Sequence, residues 1–318
     1  MSSSDTLSNS KQIGILGIPL GFGAGQTGSE LGVEAMRLSN IRGKLLSEHI
    51  AGLGFDVKDY GNVPIIRPTK IAEESENPKY LSEMIASCRN IDYSLKNLLK
   101  DGSLPIILGG DHSIAIGSFS ALSSFYRERG EEIGLIWFDA HADINTPESS
   151  DSGNIHGMPS AVLMGEGRKE LVELDGFSPK LSKQYFAHVG ARDLDQGEKD
   201  RIAAFGIRDQ FFTMSEIDKR GILACVEDAI AIASKAPGGF AVTFDVDMID
   251  PRFAPGSGTL VRGGATYREA HLALEVIAEH GGMVSFEIVE VNPLLDQSNI
   301  TVELAVELIL SALGKTIL

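Results

Sequence analysis

The sequence is poor in cysteine: Cys88 and Cys225 are the only two among 318 residues. That excludes a disulfide-framed scaffold and a cysteine-rich zinc module, and leaves two buried apolar thiols as the expectation. Positive charge is also scarce. Lys plus Arg number 28 against 44 Asp plus Glu, a formal net charge of −16. This argues against nucleic acid and against an anionic membrane surface as partners, since both select basic faces. A small cationic or neutral molecule is the more natural ligand. No stretch approaches ~18 uninterrupted apolar residues, which argues against a membrane-spanning helix. The opening MSSSDTLSNSKQ carries neither an apolar core nor an Arg-rich amphipathic pattern. No export signal is read there, and a reduced, cytoplasmic setting is expected. Between residues 12 and 314 the sequence lacks both linkers rich in Pro, Ser or charge and any short repeat.

What is present is a core-forming composition, 43% hydrophobic, in a chain long enough to bury roughly 75% of its unfolded surface. Residues 1–11 read as a disordered lead-in and 12–318 as one domain. Short apolar runs alternate with helical patterns. Strands are expected at 12–19, 56–61, 104–110, 133–138, 185–191, 211–214, 239–246 and 283–291. Helices are expected at 29–48, 79–100, 114–130, 196–205, 219–235, 266–280 and 299–314. Buried strands alternating with helices predict an α/β fold, a parallel sheet with helices on both faces.

In such sheets ligands bind beyond the carboxyl ends of the strands. Asp111, His112 and Ser113 follow one strand; Asp139, His141 and Asp143 follow the next. Asp245 and Asp247 follow a third, and Glu290 a fourth. In extended backbone, residues i, i+2 and i+4 share a face. Asp139, His141 and Asp143 are therefore expected to project together, and Asp245 with Asp247. Four carboxylates and two imidazoles at one sheet edge would repel one another severely without cations. Two divalent ions would bring +4 against the −4 of Asp139, Asp143, Asp245 and Asp247. Oxygen-rich donors with imidazole and no thiolate suit Mn²⁺, and two such ions could acidify a shared water into a nucleophile.

Taken together, GGDHSIAIGS (109–118), WFDAHADINTPESSDSGNIHGMP (137–159), VGARDLDQGE (189–198), FDVDMIDPRFAPGSGTLVRGGATYRE (244–269) and EVNPLL (290–295) resemble the ureohydrolase superfamily and, within it, the arginase family. The resemblance implies a single α/β domain with an eight-stranded parallel sheet and two Mn²⁺ per chain. One ion would be held by His112, Asp139, Asp143 and Asp245, the other by His141, Asp139, Asp245 and Asp247. It implies hydrolysis of L-arginine to L-ornithine and urea, with a metal-bridging hydroxide attacking the guanidinium carbon. Asp143 would hydrogen-bond that hydroxide, Glu290 would pair with the guanidinium, and His156 would be a mobile proton shuttle.

The same resemblance gives the substrate contacts. Asn145, Ser152 and Asn154 would recognise the α-carboxylate, Asp195 and Glu198 the α-amino group, and Thr259 would wall the guanidinium pocket. Arg268 and Glu269 resemble a pair that forms salt bridges between subunits, implying a homotrimer or homohexamer. Agmatinases and other guanidino-acid hydrolases share the metal motifs but characteristically lack the SGN loop, and they form the alternative. A non-catalytic scaffold or sensor is a further one, although every metal-ligand position is filled here.

Overall fold

The computed structural model describes residues 12–73 and 76–317; the expected lead-in, residues 1–11, lies outside the described residues. Eight strands form one sheet, and every pairing in it is parallel. They are β1 (Gln12–Ile18), β2 (Asp56–Asn62), β3 (Leu104–Gly109), β4 (Gly134–Phe138), β5 (Phe186–Val189), β6 (Phe211–Phe212), β7 (Phe240–Asp245) and β8 (Met283–Val289). Strands such as LPIILG and GLIWF are buried along their whole length, as both-sided coverage requires.

Alternate residues of these strands feed two cores. Ile106, Leu108, Ile136, Phe138, Val242, Phe244, Phe286 and Ile288 pack on one face. Ile107, Leu135, Trp137 and Ala241 pack on the other. The first face is covered by α1 (Gly32–Leu38), α2 (Leu46–Gly52), α9 (Ile222–Ala233), α10 (Tyr267–His280) and α11 (Ile300–Ala312). The second is covered mainly by α3 (Leu81–Lys100), α4 (Ala115–Arg127) and α5 (Pro159–Leu163). Both cysteines are buried and free, as expected.

Two expected helices are divided. The 29–48 pattern becomes α1 and α2, separated by an irregular stretch that includes the Ile41–Lys44 bridge. The 219–235 pattern becomes α8 (Met214–Arg220) and α9, broken where Gly221 takes φ +81°, a backbone state that favours glycine. Short helices α5 and α6 (Lys169–Val172) were not expected; α7 (Gln196–Phe205) was.

The strand order is β2-β1-β3-β8-β7-β4-β5-β6. After β3 the chain crosses to begin the other half at β4, and β7 and β8 later fill the gap. The four central strands, β3, β8, β7 and β4, are those that lead into the acidic and histidine motifs. Register then aligns the motifs: Phe138 pairs with Phe244, so Asp139 and Asp245, the next residues, lie level. Asp245 in turn pairs with Val289, just before Glu290.

Candidate metal centre

Past the strands the backbone turns at once. Asp245 caps a 3-10 turn, Val246–Met248, by accepting from Asp247 N with Oδ1 at 2.8 Å. Asp139 Oδ1 accepts from His141 N at 2.7 Å. Asp143 sits at φ +51° and Glu290 at φ +63°, left-handed conformations that cost a non-glycine residue energy and concentrate at functional sites. The predicted residues do converge, yet not by the extended alternation expected. β4 ends at Phe138 and β7 at Asp245; turns, capping bonds and the two left-handed residues, Asp143 and Glu290, accompany the convergence.

The result is two clusters that share one carboxylate. His112, Asp139 and Asp143 form the first; Asp139, His141 and Asp247 form the second. Nδ1 of His112 lies 3.1 Å from Asp139 Oδ2, 3.1 Å from Asp143 Oδ2 and 3.4 Å from Asp245 Oδ2. Nδ1 of His141 lies 3.3 Å from Asp139 Oδ1 and 3.2 Å from Asp247 Oδ2. The two oxygens of Asp139 thus face different histidines, the arrangement of a bridging ligand.

The buried network around His112 tests whether a cation fits. Thr243 Oγ1 donates to Glu287 Oε1 at 3.0 Å, so at 2.9 Å it accepts from His112 Nε2–H. That leaves the Nδ1 lone pair of the neutral ring aimed at three carboxylate oxygens, and Nδ1 has no hydrogen-bond partner. A proton or a metal ion must stand between them. Burial opposes charge on this ring, yet Asp139, Asp143 and Asp245 hold its pKa well above the ordinary histidine range. Burial and the neighbouring Asp247 and Asp139 push Asp245 well above the carboxylate range. Burial and Asp139 push Asp143 up to about 6. Charge crowding of this kind is relieved by divalent cations, and the oxygen and imidazole donors fit them.

Several supporting residues carried no role in the sequence reading. Trp137 Nε1 donates to Asp139 Oδ2 at 3.0 Å and its ring stacks on His112, centroids 4.1 Å apart. Thr243 and Glu287 orient His112 from behind, as partners outside a metal's ligand shell do. Their signal was available: each is a polar residue inside a mostly apolar, fully buried strand. Asp111, only 0% exposed, accepts from Gly23 N at 2.7 Å and Ala24 N at 3.2 Å, tying the 19–28 loop to the site. The chain there runs so close that a Cβ on Gly110 would meet Leu20 O at 1.8 Å.

Glu290 Oε1 accepts from His112 N at 2.9 Å and lies 3.1 Å from His156 Nδ1. Burial opposes the charged form of His156, but Glu290 prevails and raises its pKa to about 9. Above this floor opens a cavity of about 270 Å³. His141, Asp143, Asn145, Ser152, Asn154, His156, Asp195, Glu198, Asp245 and Thr259 all line it. A larger cavity, about 650 Å³, lies around β6 and α7 and includes none of these residues.

Around the cavity, four expected contact residues have additional occupations. Asn145 Nδ2 donates to Asp195 Oδ2 at 2.7 Å. Asp195 and Glu198 form the capping box of α7, and Glu198 also accepts from Ala142 N at 3.1 Å. Burial, with Asp143 and Asp195 nearby, raises the pKa of Glu198 to about 7. Thr259 Oγ1 donates to Asp247 Oδ2 at 2.9 Å, so it orients a candidate metal ligand as well as walling the cavity. Outside the site, Arg268 pairs with both oxygens of Glu275 at 3.0 Å, and Glu269 belongs to the α10 capping box.

Comparisons with known proteins point to one family. The model of the Arginase family matches residues 11–314. The chain is 40% identical over 308 residues to an arginase of Bacillus subtilis, covering 97% of this chain and 99% of that one. The crystal structure of Bacillus caldovelox arginase at pH 5.6 superposes with a TM-score of 0.89 at 38% identity, covering 96% of this chain and 99% of that one. A 1.7 Å structure of the Bacillus subtilis enzyme gives a TM-score of 0.88 at 39% identity, covering 97% of this chain and 100% of that one. With the fold, the shared-carboxylate clusters and these matches over nearly the whole chain, the protein belongs to the arginase family.

Proposed function

We propose that the chain hydrolyses L-arginine to L-ornithine and urea at a centre holding two Mn²⁺, within a single catalytic domain over 12–318. The observation that carries this reading is Asp139, whose two oxygens face His112 and His141 separately. His112, Asp139, Asp143 and Asp245 would hold one ion, and His141, Asp139, Asp245 and Asp247 the other. Ions held there supply charge neutralisation and Lewis-acid activation of the attacking water.

The protein's own groups orient and protonate. Asp143, with its raised pKa, accepts a hydrogen bond from the attacking water and takes its proton. His156, its pKa raised to about 9, is mostly protonated at neutral pH and donates to the leaving amine. Glu290 uses Oε1 for His112 and His156, which leaves Oε2 for the guanidinium. Asn145, Ser152 and Asn154 meet the α-carboxylate; Asp195 and Glu198 meet the α-amino group. Thr259 bounds the guanidinium pocket.

The reading includes a cytoplasmic location and assembly into a homotrimer or homohexamer, with Arg268 and Glu269 exchanged between subunits; sedimentation mass checks the assembly. Among the described residues no helix is long and apolar enough to cross a membrane. The decisive experiment strips the protein of metal, restores Mn²⁺ and assays urea from L-arginine, agmatine and 4-guanidinobutyrate side by side. Activity should return with Mn²⁺ and strongly favour L-arginine. Equal turnover of agmatine would make the protein a broader guanidino hydrolase.

A further inference from the structure

The cavity wall poses an electrostatic problem for a substrate carrying an α-carboxylate. Its lining includes Asp143, Asp151, Asp195, Glu198 and Asp245, and no Lys or Arg. Its two histidines, His141 and His156, already face the carboxylates of Asp139, Asp247 and Glu290, so the neutral donors Asn145, Ser152 and Asn154 would have to bind an anion in this acidic surrounding with no countercharge of their own. A cation does stand directly behind one of them. Lys79, half-buried just before α3, donates from Nζ to Asn154 Oδ1 at 3.2 Å.

The segment that carries Lys79 is fastened to the same loop by one backbone and one side-chain hydrogen bond. Lys79 N donates to Gly153 O at 2.9 Å, and Asn77 Nδ2 donates to Pro147 O at 2.6 Å. These tethers join positions about 70 residues apart in sequence. They set the height of Lys79 relative to Asn154 without using its side chain. The amide of Asn154 is thereby oriented: with Oδ1 accepting from an ammonium, the group left to meet a ligand is the Nδ2 donor. The space for that NH₂ comes from Gly25, where a Cβ would lie 2.9 Å from Asn154 Nδ2. A cation on the carbonyl end also polarises the amide and makes its N–H a stronger donor.

We propose that Lys79 is a positioning and specificity residue for the α-carboxylate. It turns the Asn154 amide so that it donates to the ligand, and it supplies a positive charge beside a wall that has no Lys or Arg. The inference rests on the arginine-hydrolysis reading above. It assigns Lys79 to binding rather than to the chemical step, because its contacts are with the loop and not with the metal clusters.

The test compares the Mn²⁺-loaded wild type with Lys79→Met, Lys79→Gln and Lys79→Arg, reading kcat and KM for L-arginine at low and high ionic strength. Lys79→Met keeps the aliphatic stem and removes both donor and charge. It should raise KM at least fivefold at low salt with kcat within twofold. The deficit should shrink at high salt, where the wild type loses its long-range attraction. Lys79→Gln keeps a neutral donor and should fall between Lys79→Met and wild type. Lys79→Arg should stay within about twofold of wild type. A KM change below twofold in Lys79→Met, an equal loss in kcat, or a salt-independent deficit would overturn the proposal and leave Lys79 as a structural tether. If wild type itself releases no urea from L-arginine, the functional reading fails first, an outcome distinct from an active wild type indifferent to Lys79.

Discussion

The floor and the rim of the candidate site are built by different means. On the floor, Asp245 ends a strand, Asp139 directly follows one, and His112 lies in the first turn after β3. They are at most 3% exposed, and their free oxygens and nitrogens are held by short-range backbone bonds and by Trp137 and Thr243. On the rim, Ser152 and Asp151 are exposed and Asn154 is half-buried. Asn154 depends on Lys79, and Asn145 on Asp195. A strand end sets a side chain through register, which the whole sheet enforces. A loop sets it through a few contacts with distant segments. The floor should therefore fail as a unit when altered, and the rim should yield in graded steps.

Three substitutions break or sharpen that contrast. Asp139→Ala removes the carboxylate shared by both clusters, and its loss should abolish metal retention together with activity, on the order of 10³-fold or more in kcat. Metal content of close to two ions per chain in this variant would contradict the shared-ligand assignment.

Asn154→Ala tests the rim. Hydrogen bonds to charged groups are worth ~1.5–3 kcal/mol, so KM for L-arginine should rise on the order of tenfold to a hundredfold with metal content unchanged. Loss of metal in Asn154→Ala would show that floor and rim are one unit.

Thr259→Val examines the boundary between them, since Thr259 lines the cavity and donates to Asp247. Removing a partner that orients a metal ligand typically weakens metal affinity by roughly 10-fold or somewhat more. The expected outcome is a shift near the low end, read by titrating the stripped protein with Mn²⁺. Unchanged metal affinity with a raised KM would assign Thr259 to the rim alone.

The same contrast explains which features were legible. The α/β class, the parallel sheet and its inner strands followed from apolar runs between helical patterns, since a strand buried on both faces has little choice of composition, whereas the edge strand β2, DVKDYGN, is largely exposed and polar. The sixth, FF in β6, survives as two residues at the edge, where pairing on one side gives little support. The division of the 219–235 pattern at Gly221 was visible only as a glycine within a helical period, which helices also tolerate. Asp143 does lie beside His112 and Asp139, but not for the geometric reason expected. β4 ends at Phe138 and Asp143 has φ +51°, so the DAHAD segment does not keep the extended alternation.

By itself the sequence determined the fold class, the acids and histidines available at the sheet's carboxyl edge, and the need for cations to neutralise them. Those depend on local pattern and on charge count, both written along the chain. Tertiary structure alone decided which oxygen of Asp139 faces which histidine, that Thr243 leaves Nδ1 of His112 bare, that Thr259 serves Asp247, and that Lys79 stands behind Asn154. Apart from the local approach of His141 to Asp139, these contacts join separate segments of the chain, set by strand register and loop tethers, and no pattern of neighbouring residues encodes such a distance.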